Sequence, residues 1–265
     1  VIIADVVGLG KSIIGSTVAK NLGLRTIIVC PPHLKQQWEE YKDEFKFTAS
    51  VFSSGKISDA LDHYRHIAQP NEKFLIVVDE AHKYKNEFIQ DYSILHDLCM
   101  DNKVMLLTAT PFNNRPEDIF SMLKLFQVPN KSTLKTVDNL GAAFKELISN
   151  YKELAEAQRN NKITPEEVKA EANKIAKKIR SIISPLVVRR SRLDLSEIQA
   201  YKEDLERQKV QTVIPEDPIS LSYDLGETAD LYLRTLNKIS PDMDELEAHK
   251  DDPAFVTYQS ARYKP

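Results

Sequence analysis

Val1-Ile2-Ile3-Ala4-Asp5-Val6-Val7-Gly8-Leu9-Gly10-Lys11-Ser12 is a short apolar run that breaks at an acid, passes two glycines and ends on a lysine and a hydroxyl. A buried strand, then small residues, then a helix start is the layout of a phosphate-binding loop. Backbone N–H groups close on phosphate oxygens there, and the helix N-terminus favours their negative charge. In this reading Gly8, Leu9, Gly10, Lys11 and Ser12 hold a nucleotide, Lys11 reaching the β- and γ-phosphates and the Ser12 hydroxyl ligating Mg²⁺. The full pattern G-x-x-x-x-G-K-[ST] wants glycine where Asp5 stands, so the same residues taken alone would also serve a plain strand-to-helix turn.

Working outward, short β-branched runs at 1–4, 26–30, 48–52, 74–79 and 104–108 alternate with helical patterns at 11–21, 33–45, 57–67, 87–99 and 116–126. Such alternation predicts an α/β fold, a parallel sheet with helices on both faces, whose ligand site lies outside the carboxyl ends of the strands. Between 139 and 183 the strand signals give way to two long polar helices, 140–158 and 165–183, the second opened by Thr164 as N-cap and Pro165 at its first position. A helical hairpin inserted after the sheet follows. Extended patterns resume at 186–192, 210–214 and 219–222, ahead of a helix at 226–238. The expected organisation is therefore a nucleotide-binding unit over 1–138, a helical protrusion over 139–185, and a linker with the beginning of a second α/β unit over 186–265.

Composition narrows the class. The chain has 265 residues, 42% apolar and 28% charged, with only 7 glycines, which suits a helix-rich α/β protein of one or two domains. The longest uninterrupted apolar run, Phe74 to Val78, is too short to cross a membrane, and Asp5 interrupts the opening run before it could act as a signal peptide. Cys30 and Cys99 sit in strand-like and helix-like runs and read as reduced core thiols, which places the protein in the cytoplasm (nucleoid) or the nucleus. His63 and His66 share a helix face without a third ligand nearby and read as solvated rather than metal-binding. Net charge is −3 but segregated: eight basic residues from Lys169 to Arg192 face one acid, Glu171, whereas 193–252 is acid-rich.

Phe74-Leu75-Ile76-Val77-Val78-Asp79-Glu80-Ala81-His82 reads as a buried strand ending in two adjacent carboxylates. Asp79 would hold Mg²⁺ and Glu80 would orient or deprotonate an attacking water. Successive strand residues face opposite sides, so both acids reach one site only if the backbone bends after Asp79. An acidic turn at a helix N-terminus would account for the same pair. Thr108 and Thr110 end the next strand and would sense the γ-phosphate through His82, or simply satisfy backbone groups.

Together these pieces resemble the first RecA-like lobe of helicase superfamily 2: Asp5 to Ser12 as its motif I, Val29 to Trp38 as motif Ia, Asp79 to His82 as motif II and Thr108 to Pro111 as motif III. Asp5 before Gly-Leu-Gly-Lys, the run Asp79 to Asn86, Thr110-Pro111-Phe112-Asn113-Asn114 and the block Leu186 to Leu195 are similar to the Swi/Snf-type DNA-translocating ATPases, and the likeness extends over about 1–238. That resemblance turns Asp5 from a mismatch into a family marker, while Val6 and Ser12 depart from the family's usual acid and threonine. It implies ATP and Mg²⁺ as cofactors, Lys11, Asp79 and Glu80 as catalytic residues, and His82, Thr108 and Thr110 as coupling residues. As partners it implies double-stranded DNA, contacted through His33, Lys35, Arg189 and Arg190, and a second RecA-like lobe.

The family's adenine-reading segment and arginine fingers are not among these residues, so the resemblance implies a fragment that binds nucleotide but hydrolyses it negligibly by itself. A strand-separating DEAH helicase, a restriction translocase subunit, and a nucleotide-gated scaffold without turnover stand as alternatives.

Overall fold

In the computed structural model, residues 1–109, 115–160 and 162–209 are described, with Ile219 and Thr228 as isolated further positions. The elements run β1 (Ile2–Ile3), α1 (Lys11–Leu22), β2 (Thr26–Cys30), α2 (Lys35–Phe45), β3 (Ala49–Ser53), α3 (Ile57–Ile67), β4 (Leu75–Asp79), α4 (Gln90–Cys99), β5 (Lys103–Leu107) and α5 (Pro116–Lys124). They continue with α6 (Leu140–Arg159), α7 (Pro165–Ile183), β6 (Val187–Val188), α8 (Arg192–Glu197) and α9 (Gln199–Gln208). The six strands form one sheet in the order β3-β2-β4-β5-β1-β6, and every neighbouring pair is parallel. The parallel α/β fold expected from the alternating pattern is the fold found.

Its strands read as continuous apolar runs because both faces of the sheet are covered. Ile27, Val29, Ile76, Val78, Val104 and Leu106 pack on the face carrying α3 to α7. The alternate residues Ile28, Cys30, Leu75, Val77, Met105 and Leu107 pack with Ala19 of α1 and Trp38 of α2 on the other. Asp79 continues the second set by parity, so its side chain projects toward α1 and α2.

The hairpin is found where expected. Leu140, Phe144 and Leu147 of α6 and Ile175, Ile179 and Ile183 of α7 are buried in the larger core, and the Phe120 and Phe144 rings stack at 4.9 Å. Thr164 and Glu167 form a reciprocal capping box at the start of α7, with Pro165 just inside.

The stretch 186–265, read as a linker and the beginning of a second unit, starts within this sheet. Ile2 N–H donates to the Leu186 carbonyl (2.7 Å) and Ala4 N–H to that of Val188 (2.7 Å), making β6 the edge strand of the same sheet. Val1–Ile214 belongs to one unit and Pro215–Pro265 to another. The physical reason is that β1 would otherwise present its N–H and C=O groups unpaired at a sheet edge. Next, α8 and α9 occupy a stretch read only as acidic, although Ser191 and Asp194 carry a capping-box signature at the start of α8. Finally, His63 is half-buried rather than fully solvated, with Nε2 2.9 Å from Ser50 Oγ and its ring 5.4 Å from that of Phe52, because α3 packs over β3, whereas His66 is exposed as expected. The stretches expected at 210–214, 219–222 and 226–238 lie outside the described residues, apart from the two isolated positions.

Candidate nucleotide site and nucleic-acid interface

The strand β1 ends at a loop that turns through two left-handed glycines, Gly8 (φ 86°) and Gly10 (φ 74°). A side chain at either position would strain the backbone, so glycine is needed for the chain to re-enter α1 at Lys11. Gly10 is the N-cap and no side chain caps the helix. The first-turn N–H groups of α1 therefore lack the side-chain acceptor that usually satisfies them. Lys11 Nζ folds back over the loop and donates to the Asp5 carbonyl at 3.0 Å. Ser12 is half-buried, its carbonyl accepting from Ser16 Oγ at 2.9 Å.

Asp5 itself is fully buried. Its Oδ1 accepts from the Arg190 backbone N–H (2.7 Å) and its Oδ2 from Arg190 Nε (3.0 Å) and from the terminal guanidinium nitrogen. Hydrogen bonding to Asp5 raises the Arg190 pKa, and the guanidinium lies 5.9 Å from the centre of the Tyr201 ring.

At the end of β4, two strands away, Asp79 is 5% exposed. Its Oδ2 accepts from the indole Nε1 of Trp38 at 2.9 Å and its Oδ1 from the backbone N–H of Glu80 at 2.9 Å. Burial pushes the Asp79 pKa up, and these two hydrogen bonds, with the positive charge of Lys11, act against that rise. Glu80 takes the left-handed conformation (φ 52°, ψ 47°), which is the bend the paired carboxylates require. For a non-glycine residue that conformation costs about 1–2 kcal/mol. Glu80 Oε2 lies 3.0 Å from His82 Nδ1 in the short turn Ala81–Tyr84, without the alignment of a hydrogen bond. Between β4 and β1, Thr108 is buried at the end of β5 and donates its N–H to the Ile3 carbonyl at 3.0 Å. Thr110 lies outside the described residues.

The register aligns Asp79 with Leu107 and Leu107 with Ile3. The loop carrying Lys11, the carboxylates and Thr108 thus emerge side by side at the carboxyl edge, where open parallel sheets bind ligands. Trp38 is the contributor that residue-by-residue reading missed. The one legible signal was that a buried indole N–H needs an acceptor. Among the described residues no group of three His, Cys, Asp or Glu side chains is arranged to hold a metal, and no helix is long and apolar enough to cross a membrane.

Of the candidate nucleic-acid contacts, His33 sits in the exposed turn Pro32–Leu34 and Lys35 at the exposed start of α2, which no side chain caps. Arg189 is exposed and lines a groove of about 260 Å³ with Arg115 and Arg180, floored by Ile119, Ile175 and Ile179. Arg190, by contrast, is engaged by Asp5. Within the basic stretch, Lys174 pairs with Glu171 and Lys178 with Glu146.

A parallel sheet with a glycine turn, a lysine and two carboxylates at one edge is an α/β layout, and open sheets of that class hold ligands at their strand ends. The SNF2-related domain family matches residues 51–214, and the chain belongs to that family. It is 30% identical over 144 residues to "Uncharacterized ATP-dependent helicase YqhH" of Bacillus subtilis (strain 168), covering 48% of this chain and 26% of that protein. To chromodomain-helicase-DNA-binding protein 6 of Homo sapiens it is 27% identical over 241 residues, 77% of this chain and 8% of that one. To ATP-dependent DNA helicase DDM1 of Arabidopsis thaliana it is 29% identical over 120 residues, 45% and 14% respectively. The chain therefore spans about a quarter or less of the length of these relatives. Among solved structures, the Sulfolobus solfataricus SWI2/SNF2 ATPase core in complex with dsDNA superposes with a TM-score of 0.49 at 21% identity, covering 75% of this chain and 42% of that chain.

Proposed function

We propose that this chain is the ATP-binding lobe of an ATP-driven motor on double-stranded DNA that works with a second RecA-like lobe, in a cytoplasmic or nuclear setting where Cys30 and Cys99 stay reduced. The observation that supports this reading is the bend at Glu80, by which two successive carboxylates at a strand end need not face opposite sides of the sheet. A helix start without a side-chain cap, behind two positive-φ glycines, suits a polyphosphate, and a buried carboxylate within the field of a lysine suits its Mg²⁺.

In that role the N–H groups of Leu9 to Ser12 cradle phosphate oxygens, Lys11 exchanges the Asp5 carbonyl for a phosphate, and Ser12 and Asp79 hold the metal. When bound there, Mg²⁺ would neutralise negative charge on the phosphates. Glu80 orients the attacking water and takes its proton, and His82 passes the state of that carboxylate toward Thr108 and Thr110. His33, Lys35 and Arg189 hold DNA phosphates without reading bases.

Binding of a fluorescent ATP analogue with and without Mg²⁺, to the chain and to Lys11→Ala, tests the proposal. The expected result is Mg²⁺-dependent binding that the substitution weakens, and identical weak binding by both proteins would count against it.

A further inference from the structure

Trp38 is buried, with 1% of its surface exposed, and it is the single tryptophan of the chain. Its ring is confined on the α1 side, where a Cβ added to Gly15 would come within 3.1 Å of it, and it meets Tyr41 edge to face at 6.2 Å. An indole N–H donates in one direction only. With the ring so confined, that direction is fixed on Asp79 Oδ2.

Asp79 Oδ1 is likewise fixed, by the Glu80 backbone N–H. One lone-pair site on each oxygen is thereby taken, the carboxylate plane is set, and the remaining sites are left for a cation. We infer that Trp38 is the positioning residue that orients the Asp79 carboxylate for the divalent cation of a bound nucleotide, so that α2 supplies to the metal site a donor from outside the nucleotide loop and the carboxylate pair. This inference rests on the assignment of Asp79 to the metal. Outer-shell donors of this kind are worth about 10- to 100-fold in metal affinity.

The experiment is a Mg²⁺ titration of fluorescent ATP-analogue binding by the full chain and by W38F, G15A and D79A, with the same binding measured in EDTA. For W38F the expected result is a rise of about 10-fold or more in the Mg²⁺ concentration at half-saturation, with metal-free nucleotide affinity unchanged. A merely structural role would instead lower both affinities together. G15A keeps the indole but crowds it, and should shift the Mg²⁺ midpoint in the same direction by less. In the unsubstituted chain, Trp38 emission should change as Mg²⁺ is added to the nucleotide complex, and D79A should abolish that change.

A folded W38F with an unaltered Mg²⁺ midpoint overturns the inference. So does emission that ignores Mg²⁺ in the unsubstituted chain, a measurement that holds even if W38F fails to fold. If D79A itself keeps the full Mg²⁺ dependence, the assignment of Asp79 has failed instead, and the two failures are told apart.

Discussion

Asp5 and Arg190 are 185 residues apart in sequence, yet one carboxylate receives both the backbone N–H and the guanidinium of the same arginine. The residue that breaks the glycine pattern of the opening loop is therefore what ties that loop to the strand following the helical hairpin. Asp5 is fully buried and the Arg190 side chain is 26% exposed, so the pair is shielded from most solvent screening.

Removing one partner of such a pair leaves an uncompensated buried charge. Arg190→Ala should destabilise the fold by about 3–5 kcal/mol, read from urea denaturation. The joint replacement Asp5→Leu with Arg190→Met should lose much less than the two single changes summed. Additive losses would show that the pair is not coupled.

The same pairing separates the two neighbouring arginines in DNA binding. Lys35→Ala and Arg189→Ala should each lower the slope of log affinity against log salt by about 1, since each removes one phosphate contact. Arg190→Ala, tested where it remains folded, should leave the slope unchanged because its guanidinium is engaged by Asp5. A drop equal to that of Arg189→Ala would place Arg190 on the phosphates.

Lys11 has to exchange a neutral carbonyl for a charged phosphate. Charge-assisted hydrogen bonds are worth about 1.5–3 kcal/mol, so Lys11→Ala should weaken ATP binding by about 10- to 100-fold in equilibrium titration. Glu80→Gln should leave that affinity near its original value. In a form carrying the second lobe, it should lower DNA-stimulated phosphate release by about 10²- to 10⁴-fold, the usual contribution of a positioned base.

Burial pushes the Cys30 thiol from 9.0 up to about 12. A group whose folded value lies above its unfolded one favours the fold fully below the unfolded value and loses that contribution as pH rises through the interval. Stability should therefore fall between about pH 9 and pH 12. Cys99, Tyr84 and Tyr92 are raised by burial as well and add to the fall. A thiol reagent at neutral pH should label neither cysteine until denaturant unfolds the chain; rapid labelling of the native protein would contradict the burial of both.

Much of the sheet was legible because its strands are buried on two faces. Runs such as 27–30 and 74–78 then become unbroken apolar stretches, rich in Ile and Val, that stand out from the polar helices between them. The paired carboxylates and the bend they require were legible for a similarly local reason, since the alternation of adjacent residues in a strand is fixed by backbone geometry alone. Two features were not. The strand Val187–Val188 is too short to show periodicity, and its membership of the sheet depends on an unpaired edge of β1 far away in sequence. The role of Trp38 depends on an acceptor 41 residues further along the chain, which no spacing rule connects to it.

Thus the opening stretch by itself determined a strand, a glycine turn and a helix start with a lysine at its mouth, because those follow from the conformations available to neighbouring residues. Only the tertiary structure decided what Asp5 does there. A buried carboxylate must find a cation and N–H donors wherever the fold brings them within reach, and here both come from Arg190.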